Sequence, residues 1–149
     1  MMQRIALIAA GLLLVQLAMS CRTGWMSYKD SCYIVIADEQ PWTEAQVVCE
    51  TLNGYLVTIS TSGEDSAVYQ LVKNAKYKRA WIGLHDLERQ GHFQWVTTNR
   101  EANYTNWDAT EPNNQNGNES CVLLRSFSDG RWNDYPCSGN LAFVCESST

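Results

Sequence analysis

The chain has 149 residues, which is the length of one domain, and 45% of them are hydrophobic, so it can bury a substantial core. Sixteen acidic residues against 11 basic ones give a formal charge of −5, which argues against nucleic-acid binding through a basic surface. Six cysteines in so short a chain indicate disulfide bonds and an oxidising compartment.

The N-terminus has the features of a secretory signal peptide. A short basic segment that ends at Arg4 precedes an apolar run over 5–18. This run is shorter than the roughly 20 residues that span a bilayer, and no later stretch approaches that length, so we expect no membrane span. The sequence therefore predicts a signal peptide over 1–20 and a secreted domain over 21–149. The loss of Arg4 leaves this domain a formal charge of −6.

The first part of the domain predicts a strand followed by a helix. Aromatic and β-branched residues over 25–37 favour a strand. A helix is expected after Pro41, where the spacing of Thr43 and Gln46 is that of a capping box. Residues 53–54 are Asn-Gly, which is typical of a helix end.

A second strand and a second helix follow. Residues 55–59 are mostly apolar and β-branched and predict a strand. The next helix is expected to begin at Ser62. Glu64 and Asp65 then lie in its first turn, where the helix dipole favours acidic side chains.

The second half of the domain has a different pattern. Short strands are predicted over 80–84, 93–96, 121–124 and 141–145. Between them, 97–120 is polar, and so long an irregular segment in a small domain is usually functional or disordered. Asp129-Gly130 is a hairpin-turn signal. Two early helices and several late strands indicate an α+β fold.

The clearest functional signal is a set of oxygen-bearing side chains on either side of Cys121. These are three carboxylates and two amides, at Glu111, Asn113, Glu119, Asn133 and Asp134. Such residues are common in ordinary solvated turns. Two clusters flanking one cysteine nevertheless favour a Ca²⁺ site, because Ca²⁺ takes about 6–8 hard oxygen ligands.

Several motifs together resemble the C-type lectin-like domain family over nearly all of 21–149. They are Trp81-Ile82-Gly83-Leu84, Trp107 ahead of Glu111-Pro112-Asn113, Trp132-Asn133-Asp134 and the six cysteines in order. The resemblance implies two helices, short antiparallel sheets, a long calcium-binding loop region and three disulfides. The implied pairs are Cys21–Cys32, Cys49–Cys145 and Cys121–Cys137.

The resemblance also implies the function of the ligand set. Glu111, Asn113, Glu119, Asn133 and Asp134 would hold one Ca²⁺ and contact the sugar, with Asp134 also offering its backbone carbonyl. The bond between Glu111 and Pro112 is expected to be cis. In this family the order Glu-Pro-Asn accompanies mannose, N-acetylglucosamine and fucose. The implied protein is a lectin that binds such glycans on cells or glycoproteins, and is not an enzyme.

Many relatives bind a second calcium ion. Its ligands would fall at Asp86, Gln90, Asn114, Glu119 and Ser120. Only two of these five are acids, and calcium affinity rises with ligand charge, so we expect this accessory site to be weak or absent.

Two other functions are compatible with parts of the pattern. Glu111 with Glu119 or Asp134 could form the acid/base pair of a glycoside hydrolase. A member of the same fold could instead bind mineral, ice or protein. The density of amides opposes the first alternative, and the complete principal ligand set opposes the second.

Some residues are expected at the surface. Asn103 and Asn118 begin N-glycosylation sequons, and a glycan at Asn118 would crowd the proposed site. His85 and His92 are isolated in the sequence and are predicted to be exposed. Because the resemblance pairs all six cysteines internally, multivalent binding predicts a non-covalent homodimer.

Overall fold

A computed structural model describes residues 21–149, so the predicted signal peptide lies outside the described part of the chain. Within that part, no helix is both long enough and apolar enough to cross a bilayer. Its α-helices are α1 (Trp42–Thr51) and α2 (Ser62–Asn74), and one 3₁₀ turn spans Gln115–Gly117. Its strands are β1 (Met26–Tyr28), β2 (Ser31–Gln40), β3 (Tyr55–Leu56), β4 (Arg79–His85), β5 (Gln94–Trp95), β6 (Cys121–Arg125), β7 (Arg131–Tyr135) and β8 (Leu141–Ser148).

The strands join in one sheet with the order β1-β2-β8-β4-β6-β7. Strand β3 also pairs with β8, and β5 pairs with β4. All pairings are antiparallel except that of β4 with β8, which is parallel. The α+β prediction is confirmed, although the strands form one connected sheet rather than separate antiparallel ones.

The predicted cap of the first helix is wrong. Helix α1 begins at Trp42, directly after Pro41, and its N-terminus has no side-chain hydrogen bond. The side chain of Gln46 is used elsewhere, because its Oε1 accepts a hydrogen bond from the Leu56 backbone N–H at 2.9 Å. Tertiary contact with β3 therefore outweighs the local capping pattern. Helix α2 begins at Ser62, as predicted.

The sheet is buried on both faces, and β4 shows why its sequence is continuously apolar. Ile82 and Leu84 lie in the core under α2, whereas Trp81 lies in the core under α1. The strand also passes close to β3. A Cβ atom on Gly83 would lie only 2.6 Å from the carbonyl oxygen of Leu56, so glycine is required there.

The three disulfides confirm the pairing that the resemblance implies. They are Cys21–Cys32, Cys49–Cys145 and Cys121–Cys137. The second joins α1 to β8, across 96 residues of sequence. The third joins the start of β6 to the segment after β7, the strand that carries Asn133 and Asp134.

A buried carboxylate in β8 ties three segments together. Glu146 accepts hydrogen bonds from Ser31 Oγ at 2.8 Å and from the Thr58 backbone N–H at 3.0 Å. Burial raises the pKa of Glu146, and the nearby negative charge of Glu64 raises it further, whereas the two hydrogen bonds lower it. The net shift is upward, so ionising this carboxylate in the folded protein costs stability.

Candidate functional site

The long polar segment over 97–120 is anchored to the core by an aromatic cluster. We define this cluster as Phe93, Trp95, Tyr104, Trp107 and Trp132. Trp107 packs edge-to-face on Phe93 and Trp132, with ring centroids 4.8 and 6.0 Å apart. Trp95 and Tyr104 each lie 5.8 Å from Trp132 in the same geometry. The segment therefore has a fixed base although little of it is regular.

A buried carboxylate of α2 reinforces this base. Asp65 Oδ1 accepts from Trp132 Nε1 at 2.8 Å, and Oδ2 accepts from Asn106 Nδ2 at 2.6 Å and from the Tyr104 hydroxyl at 3.3 Å. Asp65 is only 5% exposed. Burial raises its pKa, although these three donors and Arg131 act in the opposite direction. The sequence pattern placed this residue in the first turn of a helix and missed its contacts with the aromatic cluster.

The candidate ligand Asp134 connects β7 to the Glu-Pro-Asn segment. It is completely buried. Its Oδ1 accepts from the Asn113 backbone N–H at 3.0 Å, and its Oδ2 accepts from the Asn114 backbone N–H at 2.7 Å. The peptide bond between Glu111 and Pro112 is cis, as expected. One side chain thus holds the two parts of the predicted ligand set together.

Glu119 is held in a similar way. It is 6% exposed, and its Oε2 accepts from the Gln115 backbone N–H at 2.8 Å. Its own backbone N–H donates to Asn114 Oδ1 at 3.0 Å. These bonds fold 114–119 into a tight loop that places a buried carboxylate beside Cys121.

Asn133 contacts the backbone carbonyl of the neighbouring candidate ligand. Its Nδ2 donates to the carbonyl of Asp134 at 2.6 Å. The role of that carbonyl as a calcium ligand stays a prediction. Asn133 Oδ1 accepts from Arg125 Nη2 at 2.5 Å.

Arg125 lies among the candidate ligands and was not predicted from the sequence. Its Nη2 donates to Glu111 Oε1 at 3.2 Å as well as to Asn133, and its Nη1 donates to Asp108 Oδ2 at 3.0 Å. The strand register explains this position. Arg125 pairs with Arg131 across the β6–β7 ladder, so it is diagonal to Asn133 on the same face.

Glu111 has an unusual environment. Its side chain is 4% exposed, and its Oε2 is buried without a hydrogen-bond partner among residues 21–149. Burial raises its pKa, as does the negative charge of Asp134, while Arg125 acts in the opposite direction. A buried carboxylate oxygen without a partner is costly, which suggests that a cation or ligand group belongs there.

The residues present suit an oxygen-seeking cation. Within the described chain, no three Asp, Glu, His or Cys side chains form a metal cluster by themselves. A metal site here therefore requires the two asparagine amides as well as the carboxylates. Asn113 is exposed. Together the five predicted residues offer only oxygen ligands to a metal, which is the chemistry that Ca²⁺ prefers.

The residues of the predicted accessory site are only partly assembled. Asp86 is buried, and its backbone N–H donates to the Ser120 carbonyl at 3.1 Å. One of its carboxylate oxygens has no partner in the described part of the chain. Gln90 is exposed, and the side chain of Asn114 already accepts from Glu119. The accessory site stays a prediction of weak or absent binding.

The expected surface residues divide into two groups. Asn103 and Asn118 are both exposed, as a glycosylation acceptor must be. His92 is half-buried, and its Nδ1 lies 2.6 Å from Glu101 Oε1. The prediction for His85 is wrong, because it is only 5% exposed and packs edge-on against Trp42. Burial lowers its pKa.

Comparison with known proteins identifies the family. The family model described as "Lectin C-type domain" matches residues 38–147. The chain belongs to the C-type lectin family. This C-type lectin is 36% identical over 129 residues to the perlucin-like protein of Mytilus galloprovincialis, covering 85% of this chain and 82% of that one.

Two further relatives extend the comparison. The low affinity immunoglobulin epsilon Fc receptor of Mus musculus is 35% identical over 127 residues, and the match covers 85% of this C-type lectin but only 37% of the receptor. The C-type carbohydrate-recognition domain of cow CD23, solved in the presence of GlcNAc2Man3 oligosaccharide, aligns with a TM-score of 0.78 and 34% identity. That alignment covers 87% of this chain and 97% of the cow domain. The family therefore includes carbohydrate-recognition domains.

Proposed function

We propose that the protein is a secreted lectin that binds mannose-type glycans through one Ca²⁺. The supporting observation is the unpartnered, buried Oε2 of Glu111. Asn113 and Glu119 lie in the same loop as Glu111, and Asn133 and Asp134 lie in β7. Glu111, Asn113, Glu119, Asn133 and Asp134 would hold the ion, and bound calcium would accept two neighbouring sugar hydroxyls. The proposed sugar ligands are mannose, N-acetylglucosamine and fucose.

The side chains of the site give each hydroxyl a donor and an acceptor. Glu111 and Glu119 can only accept hydrogen bonds when ionised, whereas the amides of Asn113 and Asn133 can also donate. A sugar hydroxyl does both, so each can donate to a carboxylate and accept from an amide. The order of these groups around the site is what would favour mannose over galactose. The cow CD23 domain, solved in the presence of GlcNAc2Man3 oligosaccharide, supports this assignment.

One alternative has a specific observation in its favour. Arg125 already supplies a positive charge to Glu111 and a donor to Asn133 without any metal. A calcium-independent, protein-binding role would be consistent with this, and the mouse relative is named as an immunoglobulin receptor. A mineral- or ice-binding role belongs to the same alternative. We favour sugar because all five candidate ligands are present.

The decisive experiment combines calorimetry with a glycan array. The protein should bind about one Ca²⁺ per chain, and its melting temperature should rise when calcium is added after chelation, since a ligand at 100 times its Kd stabilises by about 2.7 kcal/mol. Arrays should show mannose-type binding in calcium and none in chelator. Glu119→Gln should weaken calcium binding by at least about tenfold because a charged ligand is lost.

Glu101→Gln is the matched control, because Glu101 is an exposed carboxylate that pairs with His92. It removes the same charge and should leave calcium binding unchanged. Absence of calcium binding by the wild-type protein at millimolar concentration would refute the proposal. Glycan binding that persists in chelator would favour the calcium-independent alternative.

We also propose that the protein acts as a non-covalent homodimer. All six cysteines are paired within the chain, so none is available for a bridge between subunits. A single shallow sugar site binds weakly, whereas linked sites can exceed single-site affinity by about 10²–10⁴. Light scattering tests the assembly, and a strict monomer that agglutinates mannose-bearing cells would contradict it.

A further inference from the structure

A positively charged side chain of the protein itself lies among the proposed calcium ligands. Arg125 Nη2 contacts Glu111 Oε1 and Asn133 Oδ1, at 3.2 and 2.5 Å. We propose that Arg125 competes with calcium: it neutralises the ligand oxygens when the metal is absent and must withdraw when calcium binds. This inference rests on the proposed function, because it concerns the regulation of the same site.

The competition follows from the atoms involved. Glu111 Oε1 and Asn133 Oδ1 are oxygens that the proposed calcium site requires. Arg125 occupies both through one nitrogen, and a guanidinium stays charged at any physiological pH. Two positive charges held by the same oxygens would repel at short range inside a largely buried site. Calcium and the Nη2 group therefore cannot occupy these oxygens together.

The guanidinium of Arg125 also has a partner outside the candidate ligand set. Asp108 lies outside the candidate ligand set and accepts from Arg125 Nη1 at 3.0 Å. Asp108 is itself fixed by the Ala109 backbone N–H at 2.8 Å and by Ser128 Oγ at 2.9 Å. Asp108 therefore has fixed partners of its own that do not belong to the candidate ligand set. The guanidinium can thus release Nη2 from the site while keeping its ion pair with Asp108.

A purely supportive role for Arg125 makes the opposite prediction. If Arg125 only oriented Glu111 and Asn133 toward the metal, its removal would weaken calcium binding. The free Oε2 of Glu111 does not separate the two roles, because Arg125 contacts only the other oxygen of this carboxylate. The contact of Nη2 with Asn133 Oδ1 favours competition, because that oxygen is the one that Asn133 would offer to calcium.

The test compares Arg125→Met with Arg131→Met by calorimetric titration of calcium at low ionic strength. Arg131 is the matched control because it pairs directly with Arg125 in the β6–β7 register and donates to Asn106 Oδ1 at 2.8 Å. Each variant loses one positive charge and replaces it with a long apolar side chain. Arg125→Met should bind calcium about tenfold more tightly than the wild-type protein, whereas Arg131→Met should stay within about threefold.

Thermal unfolding gives a readout that does not depend on sugar binding. In chelator, Arg125→Met should melt at a lower temperature than Arg131→Met, because Glu111 and Asp108 lose their counter-charge. Added calcium should then raise the melting temperature of Arg125→Met more than that of the wild-type protein. Arg125→Lys, which keeps a charge that can pair with Asp108, should bind calcium with intermediate affinity, and it replaces the methionine variant if that one does not fold.

The outcomes separate this inference from the proposed function. If the wild-type protein binds calcium and Arg125→Met binds no more tightly than Arg131→Met, competition is refuted and the lectin proposal stands. If Arg125→Met alone binds calcium, competition is supported and the wild-type protein is calcium-independent. If no variant binds calcium, both proposals fail. Should only the lysine variant fold, calcium binding no tighter than wild type refutes competition.

Discussion

Replacing Asp65 by alanine should destabilise the domain by about 2–4 kcal/mol. The change removes the acceptor for the buried Trp132 indole N–H, and a buried donor left unsatisfied costs about 1–3 kcal/mol. Asn106 and Tyr104 also lose their acceptor, but both are half-buried and can bond to water, so each contributes about 0.5–1.5 kcal/mol. Removing a buried charge with a raised pKa offsets part of this loss.

Urea unfolding with the disulfides intact measures this change. Glu44→Ala is the control, since Glu44 is the exposed acidic residue in the first turn of α1 and should change stability by less than about 0.5 kcal/mol. If Asp65→Ala cost no more than Glu44→Ala, the carboxylate would be only a helix-dipole partner. The proposed anchoring of the long segment through Asp65 would then be wrong.

Three other changes test different parts of the structure. The double change Glu111→Gln with Asn113→Asp exchanges acceptor and donor while keeping one negative charge, so calcium binding should survive. On a glycan array, the preference for mannose should fall in favour of galactose. An unaltered preference would refute the donor and acceptor assignment. Glu146→Gln should stabilise the protein at neutral pH and not at acid pH. Its folded pKa is raised, so the wild-type protein loses stability as pH rises from the ordinary value of 4.5 through the folded pKa, and the glutamine variant does not. Urea unfolding from about pH 4 to pH 8 should show a difference in the free energy of unfolding between Glu146→Gln and the wild-type protein that grows with pH. A difference that stays constant with pH would contradict this. Replacing Cys121 and Cys137 together by serine should cost about 3 kcal/mol on urea unfolding and weaken calcium binding in calorimetry; unchanged calcium affinity would show that the bridge does not position the site.

Local sequence signals located several parts of the fold and the site. The start of α2 at Ser62 follows from its acidic first turn, and the Asp129-Gly130 turn has the positive φ angles that the pair predicts, 49° and 78°. These features depend on a few neighbouring residues. The disulfide pairing and the cis bond before Pro112 came instead from the family resemblance, because spacing alone leaves 15 pairings open.

The errors arose where distant parts of the chain meet. Gln46 has the spacing of a capping residue but bonds to Leu56. Asp65 lies in the first turn of a helix, as predicted, but its carboxylate also bonds to Trp132, which the pattern did not indicate. His85 is isolated in sequence and buried by Trp42 in space. Arg125 follows a predicted strand and becomes visible as a site residue only when the register with β7 is known. Each of these contacts requires tertiary structure that no local pattern encodes.

The aromatic cluster gives the protein an optical signature of its own. Trp95 and Trp107 each lie within 6.0 Å of Trp132, ring centre to ring centre, at nearly perpendicular angles. Indole rings held so close in one fixed arrangement couple their electronic transitions, so the near-ultraviolet circular dichroism should be intense. Such signals are lost when side-chain packing loosens even though helices and strands persist. Because Trp132 is adjacent to Asn133, the same spectrum can follow movements of the site without any label.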